Sequence, residues 1–461
     1  MQKRHELVME VTGALSGCAR GAGFDFGEDT ALVAVQHMLY QTVDMFQAAE
    51  HIGLNPKNVF ALGKVYSNSG PIISALRDMG VTVLDSTFPP PGEFDATFEN
   101  DVKRLWRLVA EHVAQQRIKR ILVLDDGGKC ITNIPAKLLL QYQVAGVEQT
   151  SLGIFVFEDN PPPFAVVSWA RSAIKLRIGG PIFSHCLMNR LHAQFLRGNS
   201  LQDVEVGIIG LGSIGRGLAD GATRQGSRVL FYDPNPNLEV PHYLRDQVTR
   251  VDSLEDLMMR CEYVFGASGR DPFKDKWPMR YRPGIRLFSG SAGDQEFGPI
   301  IRDLRDRPCF QVENETWNIS CDDGPCGPIH IAYQGFPYNF VSRAESAVPS
   351  RIVQIETGGL LAGLIQAHNH LTLVENGHAD NRGVQRSSLD AQRFLLDVWL
   401  STMQQHGIDI RKRYGYDPAM LAATKHNEWF DAYTEPCTDV RGYSAESMMR
   451  TILEHYVPAA L

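Results

Sequence analysis

The residues best suited to chemistry form one run, Val204-Glu-Val-Gly-Ile-Ile-Gly210-Leu-Gly212-Ser213-Ile214-Gly215, which leads into Ser227-Arg-Val-Leu-Phe-Tyr-Asp233. An apolar strand delivers a tight glycine turn, a helix opens at Ser213 and Ile214, and a second strand ends in an acid eighteen positions after the last glycine. Each residue type has a task in holding a dinucleotide. Gly210 permits the sharp turn, Gly212 lets the backbone approach a pyrophosphate, and Gly215 lets the helix lie close on its strand, so N–H groups at the helix start face the phosphates. Asp233 stands where a carboxylate accepts hydrogen bonds from the adenosine ribose hydroxyls. Its charge repels a 2′-phosphate, so NAD is expected rather than NADP.

The surrounding elements fit such a site. Tyr263-Val-Phe-Gly-Ala267-Ser268-Gly269 and Ile285-Arg-Leu-Phe-Ser-Gly-Ser-Ala292 are apolar strands ending in small residues, as expected where backbone passes under a bound dinucleotide. Upstream, the strand-like runs Val59-Phe-Ala-Leu, Val81-Thr-Val-Leu and Arg120-Ile-Leu-Val-Leu-Asp125 alternate with helical stretches near 70 to 79, 97 to 116 and 133 to 144. That alternation predicts a second parallel sheet covered by helices. A helix is expected from about Thr30 to Glu50, with Val35, Met38, Leu39 and Phe46 on one side. Phe164 to Ser168 reads as a further strand and Ile182 to Phe195 as a connecting helix, while helices are expected near 346 to 369, 387 to 406 and 444 to 455. The predicted fold is α/β: a substrate and catalytic domain over 1–185, a Rossmann NAD-binding domain over 186–344, and a helical segment over 345–461 that returns to the first domain or bridges subunits.

With 461 residues, 44% of them apolar, the chain has the size and composition of a soluble globular protein of two or more domains. A net charge of −8 without any basic run argues against nucleic acid or an anionic membrane as the main partner. Glu6 and Glu10 interrupt the start and no eighteen-residue apolar run follows, so a cytoplasmic protein is expected. The eight cysteines are scattered, the closest spacing being Cys321 to Cys326, and reduced thiols are expected. His368, His370, His378 and Asp380 fit no recognised ligand spacing, so no metal is expected.

Several separate segments, in order, resemble the S-adenosylhomocysteine hydrolase family. Gln36-His37-Met38-Leu-Tyr-Gln-Thr42, Asp125-Asp126-Gly127-Gly128, Gly146-Val-Glu148-Gln149-Thr150-Ser151-Leu-Gly153, Ala267-Ser268-Gly269 and Gly335-Phe-Pro337 carry the likeness. The resemblance implies bound NAD that transiently oxidises a substrate hydroxyl, acid–base roles for His37 and Asp126, contacts of Thr150 and Ser151 with the nicotinamide half, and a homodimer or homotetramer. The pocket departs from the family. Gln149 replaces a glutamate, and Ser172-Ala173-Ile174-Lys175-Leu176-Arg177-Ile178 puts Ala173 at the catalytic lysine and Arg177 at an aspartate. A two-residue slip would make Lys175 the base; both registers stay open. Gln149 and Arg177 make the pocket more positive, which suits an anionic small-molecule substrate.

The plainer readings are a helix histidine satisfied by a neighbour for His37, a turn aspartate for Asp126, a solvated lysine for Lys175 and a surface salt bridge for Arg177. Two other functions compete. A D-2-hydroxyacid dehydrogenase has a comparable split architecture but needs an arginine after the strand near 291 and a later Glu-His pair. A non-catalytic regulator would bind NAD only as a structural or sensing ligand.

Overall fold

The computed structural model describes residues 9–196, 200–340, 348–375, 382–410 and 445–454. They fall into two compact units, one drawn from Met1–Ser86, Glu99–Gly179 and Pro349–Leu461, the other from Thr87–Phe98 and Gly180–Val348. Strands β1 (Thr30–Gln36), β2 (Val59–Gly63), β3 (Thr82–Leu84), β4 (Arg120–Asp125), β5 (Gln143–Glu148) and β6 (Ala165–Ser168) belong to the first unit. The second unit holds β7 (Glu205–Ile209), β8 (Arg228–Tyr232), β9 (Val248–Arg250), β10 (Tyr263–Gly266), β11 (Ile285–Ser289), β12 (Gln311–Val312), β13 (Ile319–Cys321) and β14 (Ile329–Ile331). A last strand, β15 (Gly383–Arg386), returns to the first.

The first sheet runs β3-β2-β1-β4-β5-β6-β15 and is parallel throughout. The second runs β9-β8-β7-β10-β11-β14-β13-β12, parallel as far as β14 and antiparallel through β13 and β12. Both orders reverse beside the unit's first strand, between β1 and β4 and between β7 and β10. At such a reversal the flanking connections leave toward opposite faces, and a crevice opens outside the carboxyl ends of the two strands. The fold is α/β with two doubly wound parallel sheets.

The helix expected from Thr30 is a strand until Gln36, followed by a helix over Tyr40–Glu50. Thr30-Ala-Leu-Val-Ala-Val-Gln36 is buried at every position and lies between β2 and β4, so both its faces meet apolar neighbours and no alternation shows in the sequence. The change moves His37 from the middle of a helix to the carboxyl end of a central strand. The helix expected near 133 to 144 is two short ones, Lys129–Thr132 and Ala136–Gln141, because Pro135 has no N–H to continue the first.

Helix Ser350–Glu375 is buried along nearly its whole length and packs on β4, β5 and β6. Most of its residues are apolar or small, and its buried polar side chains, such as Gln354 and Glu356, reach partners within the core. His368 and His370 lie in this helix; burial lowers both to about 4, and the ring Nε2 of His368 is 3.1 Å from the Phe26 carbonyl. His378 and Asp380 lie outside the described residues. Helices Leu389–Gln405 and Ala445–Leu453 follow, with β15 between the long helix and the first of them. Among the described residues, no helix is long and apolar enough to cross a membrane.

One cysteine expectation is corrected. Cys321 is joined in a disulfide to Cys309, with Cα atoms 4.8 Å apart, while Cys326 is a free thiol. The antiparallel pairing of β12 with β13, which sets Gln311 opposite Ser320, brings Cys309 beside Cys321. Spacing along the chain pointed to Cys326 because it ignores pairing across a hairpin.

Candidate active site

In the second unit, β7 ends at Ile209 and the chain turns at Gly210, whose φ of +90° is left-handed and costs a side chain dearly. Helix Ser213–Thr223 opens at once, its first internal bond running 2.9 Å from Arg216 N to the Gly212 carbonyl. Nothing stands within 4 Å of a side chain added at Gly212, whereas one added at Gly215 would fall on the Gly210 carbonyl. The turn is therefore open where a pyrophosphate must approach and closed where helix meets strand. Asp233 follows β8 half-buried; its Oδ2 accepts from Leu211 N at 2.8 Å and its Oδ1 from Asn235 N at 2.9 Å, so the carboxylate is fixed beside the glycine turn. Ala267, Ser268 and Gly269 follow β10, with Ala267 N bonded 2.8 Å to the Ile209 carbonyl. These residues fit NAD, and when bound NAD supplies a hydride acceptor or donor.

Beneath this turn lies Glu296, which the sequence reading did not single out. Its Oε1 accepts from Ser268 N at 2.9 Å and Ser268 Oγ at 2.7 Å, and the side chain is fully buried. Burial pushes its carboxyl up to about 7 against the pull of the Ser291 and Ser268 hydrogen bonds. A carboxyl raised in the folded state binds its proton more tightly there than in the unfolded chain. Its cost to stability therefore begins as pH rises past the ordinary carboxylate range and is complete above about 7. Replacing Glu296 by Gln removes that cost. The stability margin of E296Q over the native chain is expected to widen by about 3 kcal/mol between pH 4.5 and pH 8, read by urea unfolding at each pH.

In the first unit, four residues stand just past the ends of four adjacent strands: Gln149 after β5, Asp126 after β4, His37 after β1 and Lys64 after β2. His37 and Asp126 flank the reversal of strand order. His37 Nε2 is 3.1 Å from Asp126 Oδ2, which also accepts from Gln149 Nε2, and Lys64 Nζ bonds to Asp126 Oδ1. Gln36 Nε2 in turn donates to Gln149 Oε1 at 3.1 Å. The other ring nitrogen of His37, Nδ1, is 2.7 Å from Ser67 Oγ. Lys64 and Asp126 are 3% and 2% exposed, whereas 24% of the His37 side chain reaches solvent. Burial alone would raise Asp126, but Lys64 and His37 outweigh it and hold the carboxyl well below the usual carboxylate range. Burial would lower Lys64, but Asp126 holds its ammonium above the ordinary lysine value. His37 is lowered, by burial first, with Lys64 and Lys175 adding to the effect against Asp126. Asp126 thus stays ionised and Lys64 stays charged, and His37, the one of these three open to solvent, is placed to exchange a proton.

Lys175 opens a π-helical turn, Lys175–Gly179, and its Nζ is 3.3 Å from Glu356 Oε2, which also accepts from Trp169 Nε1 at 2.8 Å. Its charge is felt by His37, whereas Ala173 is tied by its backbone N–H to Gln392. Arg177 sits in the same turn, half-buried. Thr150 caps helix Ser151–Asp159 through Gly153 N and donates 2.6 Å to Glu148 Oε1, and Ser151 is exposed. Glu148 also takes the N–H groups of Gly127 and Gly128 at 3.1 and 3.0 Å, which fixes the turn after Asp126. The hydrogen bonds that define the cluster join His37, Lys64, Ser67, Asp126, Gln149 and Gln36. Lys64 and Ser67 were missed, although Lys64 comes two residues after the recognised strand Val59 to Leu62, where the edge rule that singled out Asp126 applies equally.

Residues 186–269 match the NAD binding domain of the D-isomer specific 2-hydroxyacid dehydrogenases. Two uncharacterized proteins of Mycobacterium tuberculosis, MT0113 and Rv0104, are each 27% identical over 357 residues, covering 75% of this chain and 68% of theirs. Among solved structures, a D-isomer specific 2-hydroxyacid dehydrogenase family protein from Aeromonas salmonicida shares 12% identity at a TM-score of 0.37, over 77% of this chain and 99% of that one. An NAD+-bound 3-phosphoglycerate dehydrogenase from Entamoeba histolytica shares 13% at a TM-score of 0.35, over 77% and 98%. At these TM-scores the structural likeness has no weight of its own. The match over 186–269 does, and it makes this segment an NAD-binding domain.

That match corrects the family expected from the short motifs. The nucleotide domain, where the likeness to S-adenosylhomocysteine hydrolase was strongest, matches the NAD binding domain of the dehydrogenases instead, and the hydrolase or lyase reaction falls with the resemblance. The motifs misled for a physical reason. Asp-Gly-Gly and Thr-Ser turns sit at strand ends, where doubly wound sheets of unrelated function place the same small and acidic residues.

Proposed function

We propose that this chain is an NAD-dependent oxidoreductase of the 2-hydroxyacid dehydrogenase type, acting on a small carboxylate-bearing alcohol or its keto form. The observation that carries the reading is the match over 186–269 together with the Gly210 to Gly215 turn and Asp233 that form the cofactor cradle. In this reading His37 is the acid–base group of the first unit, with its Nε2–H held on Asp126 and its exchangeable proton on Nδ1 against Ser67. Asp126 holds the ring in place and stays ionised throughout. Dehydrogenases of this type need an arginine after the strand that ends here at Ser289, and this chain has Gly290, Ser291 and Ala292 there.

The test is NADH oxidation by the purified full chain against a panel of 2-keto acids, and NAD reduction against the corresponding 2-hydroxy acids. Turnover with at least one acid is expected, and Asp233→Ala should raise the KM for NADH about 10-fold by removing charge-assisted bonds to the ribose. No turnover across the panel, or a KM unmoved by Asp233→Ala, would refute the reading.

A further inference from the structure

We propose that Ser67 is a positioning residue for His37, its hydroxyl swapping between the imidazole ring and the Lys64 carbonyl so that the ring gains and loses one proton without leaving Asp126. The argument begins at Asp126. Its carboxylate is ionised and can only accept, so the His37 nitrogen 3.1 Å away, Nε2, carries hydrogen whether the ring is neutral or charged. A bare Nε2 would set one lone pair against another. The proton that comes and goes is therefore the one on Nδ1, and Nδ1 faces Ser67.

Ser67 Oγ lies 2.7 Å from His37 Nδ1 and 3.2 Å from the Lys64 carbonyl. Ser67 is 1% exposed, so bulk water does not replace it at the ring. A hydroxyl has one hydrogen to give and lone pairs to receive, which allows two arrangements. With Nδ1 bare, the serine hydrogen points at the ring. With Nδ1 protonated, the ring donates to Oγ and the serine hydrogen turns to the Lys64 carbonyl. One proton from solvent, which reaches 24% of the His37 side chain, is added at Nδ1, serine keeps one hydrogen, and no heavy atom moves.

The second arrangement makes one more hydrogen bond than the first, and the bond from the ring is charge-assisted. Ser67 therefore favours the imidazolium. It works with Asp126, the acidic group on the ring from the β4 side, and against Lys64 beyond β2 and Lys175 in the π-helical turn. The Tyr66 ring lies 6.0 Å from the imidazole between centroids. Glu356 sits on Lys175 and tempers its charge. The inference rests on the proposed dehydrogenase reading only for the use made of the proton; the two arrangements follow from the bonds alone.

The test is a proton and nitrogen NMR titration of the His37 ring in the full chain, assigned by loss of its signals in His37→Gln. Ser67→Ala is expected to lower the His37 midpoint by about one pH unit, the difference between a charge-assisted and a neutral hydrogen bond. Ser67→Thr should restore it. Ser67→Cys keeps the volume but accepts weakly, and should give a smaller drop in the same direction; it decides the matter if Ser67→Ala does not fold. An unmoved midpoint in a folded Ser67→Ala or Ser67→Cys, or a threonine that fails to restore it, overturns the proposal. Where the native enzyme turns over, the pH limb of kcat should move with the midpoint. If no substrate is found but the midpoint moves, the role of Ser67 stands and the dehydrogenase reading falls.

Discussion

Asp126→Asn is expected to destabilise the chain by about 3 to 5 kcal/mol and to abolish turnover, because it strips the counter-ion from a lysine buried to 3% exposure. The asparagine keeps a hydrogen-bonding oxygen but no charge, so the Lys64 ammonium is left in the interior uncompensated. Urea unfolding monitored by circular dichroism measures the loss. A second variant separates charge from shape. In Lys64→Met with Asp126→Leu, both ions are gone and apolar side chains of similar volume replace them, so stability should recover most of the deficit while activity stays absent. A single variant as stable as the native chain would show that the pair is not the buried ion pair described here.

Gly215→Val should be nearly as severe, through a different mechanism. Its side chain would fall on the Gly210 carbonyl, which is backbone and cannot rotate away. The helix must shift off β7, carrying its amino end away from where a pyrophosphate would sit. NAD affinity is expected to drop on the order of 100-fold or more, about 2.7 kcal/mol, measured by isothermal titration with unfolding curves as a check on the fold. Gly212→Ala at the neighbouring open position is the contrast. It adds a methyl group that meets no protein atom within 4 Å, so any loss of affinity there reports crowding of the ligand rather than of the fold.

The two functional regions differ in how far they could be read from the chain. The cradle of the second unit is local: turn, helix, strand and acid span Gly210 to Asp233, and Gly215 and Asp233 meet the turn itself. The cluster of the first unit is assembled across distance. Lys64 and Asp126 are 62 residues apart and Gln36 and Gln149 are 113 apart, and only the strand order brings their side chains to one edge. A lysine after a strand is usually a solvated one, so nothing in Gly63-Lys64-Val65 marks it as buried. Reading Thr30 to Gln36 as helix hid the same edge from view. The undecided register at Ala173 and Lys175 has its own cause. Residues two apart face different sides of an α-helix, but Lys175 begins a π-helical turn, whose wider winding changes which side chains face the sheet.

The first unit's sheet is closed at one edge by β15 and covered by helix Ser350–Glu375, both encoded more than 170 residues after β6. A nascent chain emerging from the ribosome therefore exposes six parallel strands whose apolar face must wait, at about 5 to 20 residues per second, for some ten seconds or more before its lid is synthesised. The intervening segment can complete its own sheet in the meantime. That face is an aggregation hazard during the interval, and a truncation before residue 350 should yield insoluble protein even though it retains the whole cofactor cradle.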